Sequence, residues 1–280
     1  MNTTYHTHYD HNTSGRDLIV GDIQGCYDQL IHLLQLIKFD FNNDRLFSVG
    51  DLIDRGPNSF ESANLVYEPW FFPVKGNHEQ LLIDSILHNK QAAINCWLYN
   101  GGTWASSINR QLLIDIAKHF ETLPLVISIG NGDNRYNIVH AELIRSGLDE
   151  NNNSFLVNND DIDNWTFNTQ DMDAMLWGRD IISQYSDPIT WKLFTPKSIF
   201  KFQSPQLSLT YVGHSITPNT TQLEQQIYIE TGHVQAINKS ENIALKYPLT
   251  IIEPQQQKYF QYHLPFKTFS THKYSYINKY

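Results

Sequence analysis

Cysteine is scarce in this chain: Cys26 and Cys96 are the only two among 280 residues. Two thiols cannot build a disulfide framework, so a reduced, cytoplasmic protein is expected. Long apolar runs are also absent. None approaches the roughly 20 residues that span a bilayer. The polar, His-rich N-terminus lacks the apolar core of a signal peptide. Basic residues are in deficit, 20 Lys and Arg against 29 Asp and Glu, for a formal net charge of −9. A nucleic-acid binder would need a basic face, so neither nucleic acid nor membrane is an expected partner. Internal repeats and linkers are missing too. What is present is an ordinary globular composition, 41% hydrophobic and 18% charged, long enough for one large domain or two modest ones.

Residues 1–16 carry His6, His8 and His11 and read as a loosely ordered tail. The pattern then becomes regular. Leu18-Ile19-Val20 is a short apolar strand that feeds Gly21-Asp22, and Tyr27 to Ile37 follows at helical spacing. Leu46 to Val49 is a second strand ending in Gly50-Asp51, followed by a helix over Ser59 to Val66. Phe71 to Val74 is a third strand, leading through Lys75-Gly76 to Asn77-His78 and a helix over Gln80 to Leu87. Three strand–loop–helix units predict parallel strands whose C-terminal ends share one edge of a sheet, where ligands bind.

Further along, Asn95 to Tyr99 and Arg110 to Phe120 read as a helical insert. Leu125 to Ile129 and Tyr136 to Val139 read as strands, and the Asn- and Asp-rich residues 149–171 as a surface loop. Leu207 to Val212, Ile227 to Glu230 and Ala244 to Ile252 are β-like. The aromatic stretch from Tyr259 to Tyr280 is expected to pack as an extra strand pair. The predicted fold class is α/β, with two packed mixed sheets flanked by helices.

Five of these strand ends carry chemistry: Asp22, Asp51, Asn77 with His78, His140, and His214. A lone strand-end Asp is ordinarily a turn or cap residue, and a lone His is ordinarily structural. Five in register are poorly explained by capping. Hard oxygen donors and imidazoles, with one carboxylate to share, suit a pair of divalent cations.

The ordered set GDIQG, GDLIDRG, GNHE, His140 and Gly213-His214 resembles the metal-dependent serine/threonine phosphoprotein phosphatases, a calcineurin-like metallophosphoesterase group. The block from Leu46 to Trp104, ending in WLYNGGTW, resembles the bacterial and bacteriophage-lambda-type members most closely. Trp177-Gly178-Arg179 and Tyr228 to Gly232 are also similar to segments of that group. The resemblance spans residues 17–252, the expected catalytic domain, and leaves 253–280 as an extension packed on it.

The resemblance implies roles. Asp22 and Gln24 would hold a first metal, Asp51 would bridge, and Asn77, His140 and His214 would complete the second site. A hydroxide shared by two cations about 3.5–4 Å apart would attack phosphorus in line. His78 would protonate the leaving alkoxide, with Asp54 orienting it. Arg55, Arg179 and Lys75 would bind the phosphate oxygens. A Ser/Thr or dual-specificity protein phosphatase is implied, acting on phosphoproteins or phosphorylated small molecules.

Two positions depart from the family pattern. Gln24 stands where a metal-binding His is usual, which points to Mn²⁺ ahead of Fe, Zn or Mg. Lys75 stands where close relatives have Arg and lacks its bidentate fork. GDIQGCYDQL also resembles the symmetrical dinucleoside tetraphosphatases, which sets up that activity as the enzymatic alternative. A weakened phosphate-binding scaffold is a third reading. Cys26 is read as structural, Trp177 as core or pocket wall, Glu79 as beginning or capping a helix, and His233 receives no role.

Overall fold

A computed structural model describes residues 5–145, 156–187, 193, 201–237 and 239–274. Among the described residues, twelve strands form two sheets. In chain order they are β1 (His6–Tyr9), β2 (Asp17–Val20), β3 (Arg45–Ser48), β4 (Phe71–Pro73), β5 (Val126–Ile129), β6 (Tyr136–Val139), β7 (Leu209–Val212), β8 (Thr221–Leu223), β9 (Gln226–Tyr228), β10 (Leu249–Glu253), β11 (Lys258–His263) and β12 (Thr268–Lys273). One sheet runs β12-β11-β10-β2-β3-β4 and the other β1-β5-β6-β7-β9-β8. The helices are α1 (Tyr27–Leu36), α2 (Ser59–Asn64), α3 (Asn77–Ile86), α4 (Gln91–Tyr99), α5 (Arg110–Glu121), α6 (Asn159–Asp163), α7 (Thr169–Trp177), α8 (Asp180–Tyr185) and α9 (Glu241–Ala244).

Strand alternation explains the layering. Ile19, Phe47, Val49 and Val74 of the first sheet face Ile127, Ile129, Ile138, Tyr211 and Ile227 of the second. Their neighbours Leu18, Val20 and Leu46 point the other way, into a core with Leu30, Leu33 and Leu34 of α1 and with α3 and α5. Val126, Val139 and Val212 turn outward from the second sheet against Met175 and Leu176 of α7 and Ile181 of α8. Both faces of the central strands of each sheet are therefore covered. This is why Leu18-Ile19-Val20 of β2 is buried at every position and reads as continuous apolar sequence.

β2, β3 and β4 are parallel, joined by α1 and α2 as crossovers. β6, β7 and β9 are parallel in the other sheet. The C-terminal ends of β2, β3, β4, β6 and β7 carry the candidate residues.

The expectations for the chain termini and loops need correction. The predicted N-terminal tail contains β1, which pairs in parallel with β5. Tyr9 packs edge-on against Phe47 and Phe72, and His6 Nε2 lies 3.0 Å from Ser128 Oγ. One aromatic anchor and a free sheet edge outweigh the polar composition. Within the expected loop, α6 and the start of α7 are helical, each capped by an Asn side chain, Asn158 and Asn168. Residues 149–155 of it lie outside the described residues. The strand expected from Ala244 begins only at Leu249, after the short helix α9. β11 and β12 form the strand pair expected at the C-terminus and extend the sheet from β10. Residues 275–280 lie outside the described residues. Among the described residues, no helix is long and apolar enough to cross a membrane.

Candidate active site

The site loops hold an uncommon backbone. Gln24, Asp51, Asp54, Arg55 and His214 all have positive φ, from +42° to +77°. For non-glycine residues this is a sparsely used region that persists only where surroundings enforce it. The enforcement is visible. The Glu79 carboxylate accepts the N–H groups of Asp51, Leu52 and Gly76 at 2.8–2.9 Å. The N–H of Gln24 donates to the Asp51 carbonyl at 2.8 Å. At Gly213 a Cβ would stand 2.1 Å from Asp22 Oδ1, so glycine is required there for β7 to approach the Asp22 loop.

Asp51, His140 and His214 bring their ligand atoms within 4.8 Å of one another. Asn77 Oδ1 lies 2.8 Å from His140 Nε2 and 3.0 Å from His214 Nδ1. His140 Nδ1 sits 2.8 Å from the Val49 carbonyl, an acceptor, so the ring proton belongs on Nδ1. Burial lowers the His140 pKa despite the charge of Asp51. Its Nε2 lone pair then points at Asn77 Oδ1 and, at 3.4 Å, at Asp51 Oδ1. The His140 Nε2 lone pair and the Asn77 and Asp51 oxygens thus converge on one point. A cation satisfies that arrangement, and the donor set is hard oxygen plus imidazole.

The surrounding charge balance agrees. Burial alone would raise the Asp51 carboxyl, but the His140, His78 and His214 rings facing it hold it below the usual carboxylate range. Asp22 is pushed well up by burial and then by Glu230 and Asp51. Burial, with Asp51 adding to it, raises Glu79 to about 7. Glu230 rises to about 8, chiefly from burial. Buried acids crowded this way are what bound cations would neutralise.

His78 lies beside this cluster. Its Nδ1 is 2.5 Å from Asp54 Oδ2, and its Nε2 is 3.7 Å from Asp51 Oδ2. Burial opposes its charge, but Asp51 and then Asp54 outweigh burial and raise its pKa. The ring can therefore carry a proton on Nε2 towards the cluster. Asp54 also accepts the indole N–H groups of Trp97 and Trp104.

Of the three predicted phosphate-binding cations, two sit at this site. Arg179 donates to Ser215 Oγ at 2.7 Å, next to His214, and burial, with the like charge of Arg55 adding to it, lowers its pKa. Arg55 reaches Asn100 Oδ1 at 3.4 Å and is exposed. Lys75 is different. Its ammonium donates to the Glu121 carbonyl at the end of α5, at 3.2 Å, and is buried. A cation on a helix C-terminus completes the helix, so Lys75 is occupied structurally and does not join the arginines. Gln24 is buried in the Asp22 loop. Trp177 is exposed and stands edge-on to His214, 6.2 Å away.

Sequence reasoning missed Glu142 and Glu230. Glu142 accepts the N–H groups of Ile181 and Ile182 at the start of α8, while Glu230 accepts those of Asp22 and Gly232. The available signal was their position, two residues after His140 and two after the apolar end of β9.

Comparison with known proteins decides the family. The calcineurin-like phosphoesterase profile matches residues 16–224. The chain belongs to the calcineurin-like phosphoesterases. Members of this family use divalent metals, in keeping with the donor cluster above. A Salmonella typhimurium protein named serine/threonine-protein phosphatase 2 is 31% identical over 219 residues, covering 76% of this chain and 86% of that protein. The Escherichia coli protein of the same name is 40% identical over 127 residues, 44% of this phosphoesterase and 57% of that one. A Coxiella burnetii symmetrical bis(5'-nucleosyl)-tetraphosphatase is 48% identical over only 68 residues, 23% of each chain. A solved protein serine/threonine phosphatase from Saccharomyces cerevisiae shares the fold, with a TM-score of 0.53 at 16% identity over 98% of this chain and 85% of that one.

Proposed function

We propose that this phosphoesterase is a metal-dependent protein phosphatase that hydrolyses phosphate monoesters of serine or threonine side chains. The observation that carries the reading is the convergence of Asp51, Asn77, His140 and His214 beside the buried Asp54–His78 pair. A binding protein has no use for a positioned proton donor. The 31% relative, matched over 86% of its length, supports the phosphoprotein substrate.

In this reading Asp51, Asn77, His140 and His214 would hold one cation, and Asp22, Gln24 and Asp51 the other. When bound, the pair supplies an acidified water and neutralises phosphate charge. The chain's own side chains do the rest. Arg55 and Arg179 hold the non-bridging oxygens as planar forks. His78 gives its Nε2 proton to the leaving oxygen as the P–O bond breaks. Overall, a monoester and water become an alcohol and inorganic phosphate. Gln24 offers a neutral oxygen in place of imidazole, which favours Mn²⁺ over Zn²⁺ in the Asp22 site.

One observation favours a second reading. The 48% match to the tetraphosphatase indicates a local likeness to enzymes that cleave dinucleoside polyphosphates. The test is Mn²⁺-dependent phosphate release from a phosphoserine peptide, a phosphotyrosine peptide and an aryl phosphate, beside hydrolysis of diadenosine tetraphosphate followed as ADP formed. Preference for the phosphoserine peptide is expected. Preference for the dinucleotide would overturn the substrate assignment.

A further inference from the structure

The segment Trp97 to Trp104 has the sequence WLYNGGTW, and the reaction as derived gives it nothing to do. It leaves α4, turns at Gly101-Gly102 and lies over the loop that carries Asp54 and Arg55. The contacts are specific. Trp97 Nε1 donates to both Asp54 oxygens, at 3.1 and 3.0 Å. Trp104 Nε1 donates to Oδ1 at 2.6 Å. Oδ2 receives His78 Nδ1 at 2.5 Å. Asp54 is fully buried, so these groups replace its water.

The two rings stand edge-to-face, 6.4 Å apart at 89°, so each restrains the other. The turn between them needs its glycines. A Cβ on Gly102 would come within 2.5 Å of the Trp97 ring. Gly101 has φ +110°, and a Cβ there would stand 2.6 Å from the Arg55 nitrogen. Asn100, next in line, accepts from the Arg55 guanidinium. One short segment thus grips both Asp54 and Arg55.

We propose that Trp97 and Trp104 are positioning residues for proton delivery: they lock the Asp54 carboxylate so that His78 presents Nε2 to the leaving oxygen. An indole suits this task because its N–H only donates. Tyr, Ser or water in its place could rotate and accept, which would free the carboxylate to turn. Two donors on one oxygen edge leave Oδ2 a single orientation towards His78. The inference rests on His78 being the proton donor in the proposed function.

The test uses the leaving group. An alkoxide from phosphoserine needs a proton as the P–O bond breaks, whereas the 4-nitrophenolate of 4-nitrophenyl phosphate departs without one. Trp104→Phe is the main variant, since Trp104 is only partly buried, and Trp97→Phe is the second. Trp104→Phe is expected to lower kcat on a phosphoserine peptide by about 30-fold, within the reach of general-acid and orientation effects. On 4-nitrophenyl phosphate the loss stays under about 3-fold. KM and the Mn²⁺ concentration for half-maximal rate stay unchanged. His78→Asn is run alongside and shows the same split, larger. If Trp104→Phe slows both substrates equally, or slows neither, while His78→Asn keeps its split, the positioning role is wrong. If His78→Asn itself shows no split, the proton-donor assignment fails and the inference goes with it.

Discussion

The Tyr228 hydroxyl donates to Glu142 Oε1 across 2.7 Å, with both side chains buried. Glu142 follows His140 by two residues and also accepts the N–H groups of Ile181 and Ile182 in the first turn of α8, the helix that begins just after Arg179. One carboxylate thereby joins a candidate metal ligand to a candidate phosphate ligand. Glu142→Ala would strand three buried donors and is expected to cost about 3 kcal/mol of stability. It should also raise the inhibition constant of inorganic phosphate by roughly 10-fold as Arg179 loses its mooring. Tyr228→Phe removes one donor and should cost about 1 kcal/mol with little change in phosphate affinity. Urea unfolding and phosphate inhibition measure both. An unchanged inhibition constant in folded Glu142→Ala would remove Glu142 from any positioning role.

Gln24 gives the clearest metal prediction. Replacing its neutral amide oxygen with imidazole should strengthen the Asp22 site. Gln24→His is expected to bind the more weakly held Mn²⁺ about 10-fold more tightly by calorimetric titration. It should also shift preference towards Zn²⁺. Equal affinity in the two proteins would indicate that residue 24 does not contact the ion.

Cys26 lies beside the first site loop, yet burial, with Glu230 adding to it, pushes its thiol up to about 12. The thiolate is the reactive form, so at pH 8 Cys26 should resist iodoacetamide in the folded protein. Cys96, which is partly exposed, should react. Mass spectrometry should find one modified cysteine in buffer and two in denaturant. Rapid labelling of Cys26 in buffer would contradict its placement.

His6 supplies a pH prediction away from the metal ligands. Burial, followed by the nearby Arg135 charge, lowers its pKa to about 4. The folded protein thus keeps this ring neutral, while the unfolded chain takes up the proton at about 6.5. Its contribution to stability is complete above pH 6.5 and is lost as pH falls from there to about 4. The stability difference between wild type and His6→Asn should shrink over that interval in urea titrations. A His6 ring titrating near 6.5 by NMR would show that β1 is not docked.

Much of this was legible in sequence because it rests on local chemistry. Gly50-Asp51 and Gly213-His214 follow apolar strands, and only glycine fits the close approaches their loops make. Lys75 was misread because motif position says nothing about direction, and its side chain runs back to the end of α5. β1 was missed because four residues with two histidines carry no apolar period; its place depends on Tyr9 and on an edge of β5 that is far away in sequence. The links from Glu142 to α8 and from Trp104 to Asp54 are contacts between separate segments, and no spacing rule exposes them.

The proposed reaction depends on a pair of cations held by these side chains. Metal-free protein dialysed against Mn²⁺ and measured by elemental analysis should carry two ions per chain. His214→Ala should carry no more than one, and phosphate release from a phosphoserine peptide should fall with the lost ion. One ion or none in the wild type, with undiminished phosphate release, would contradict the account.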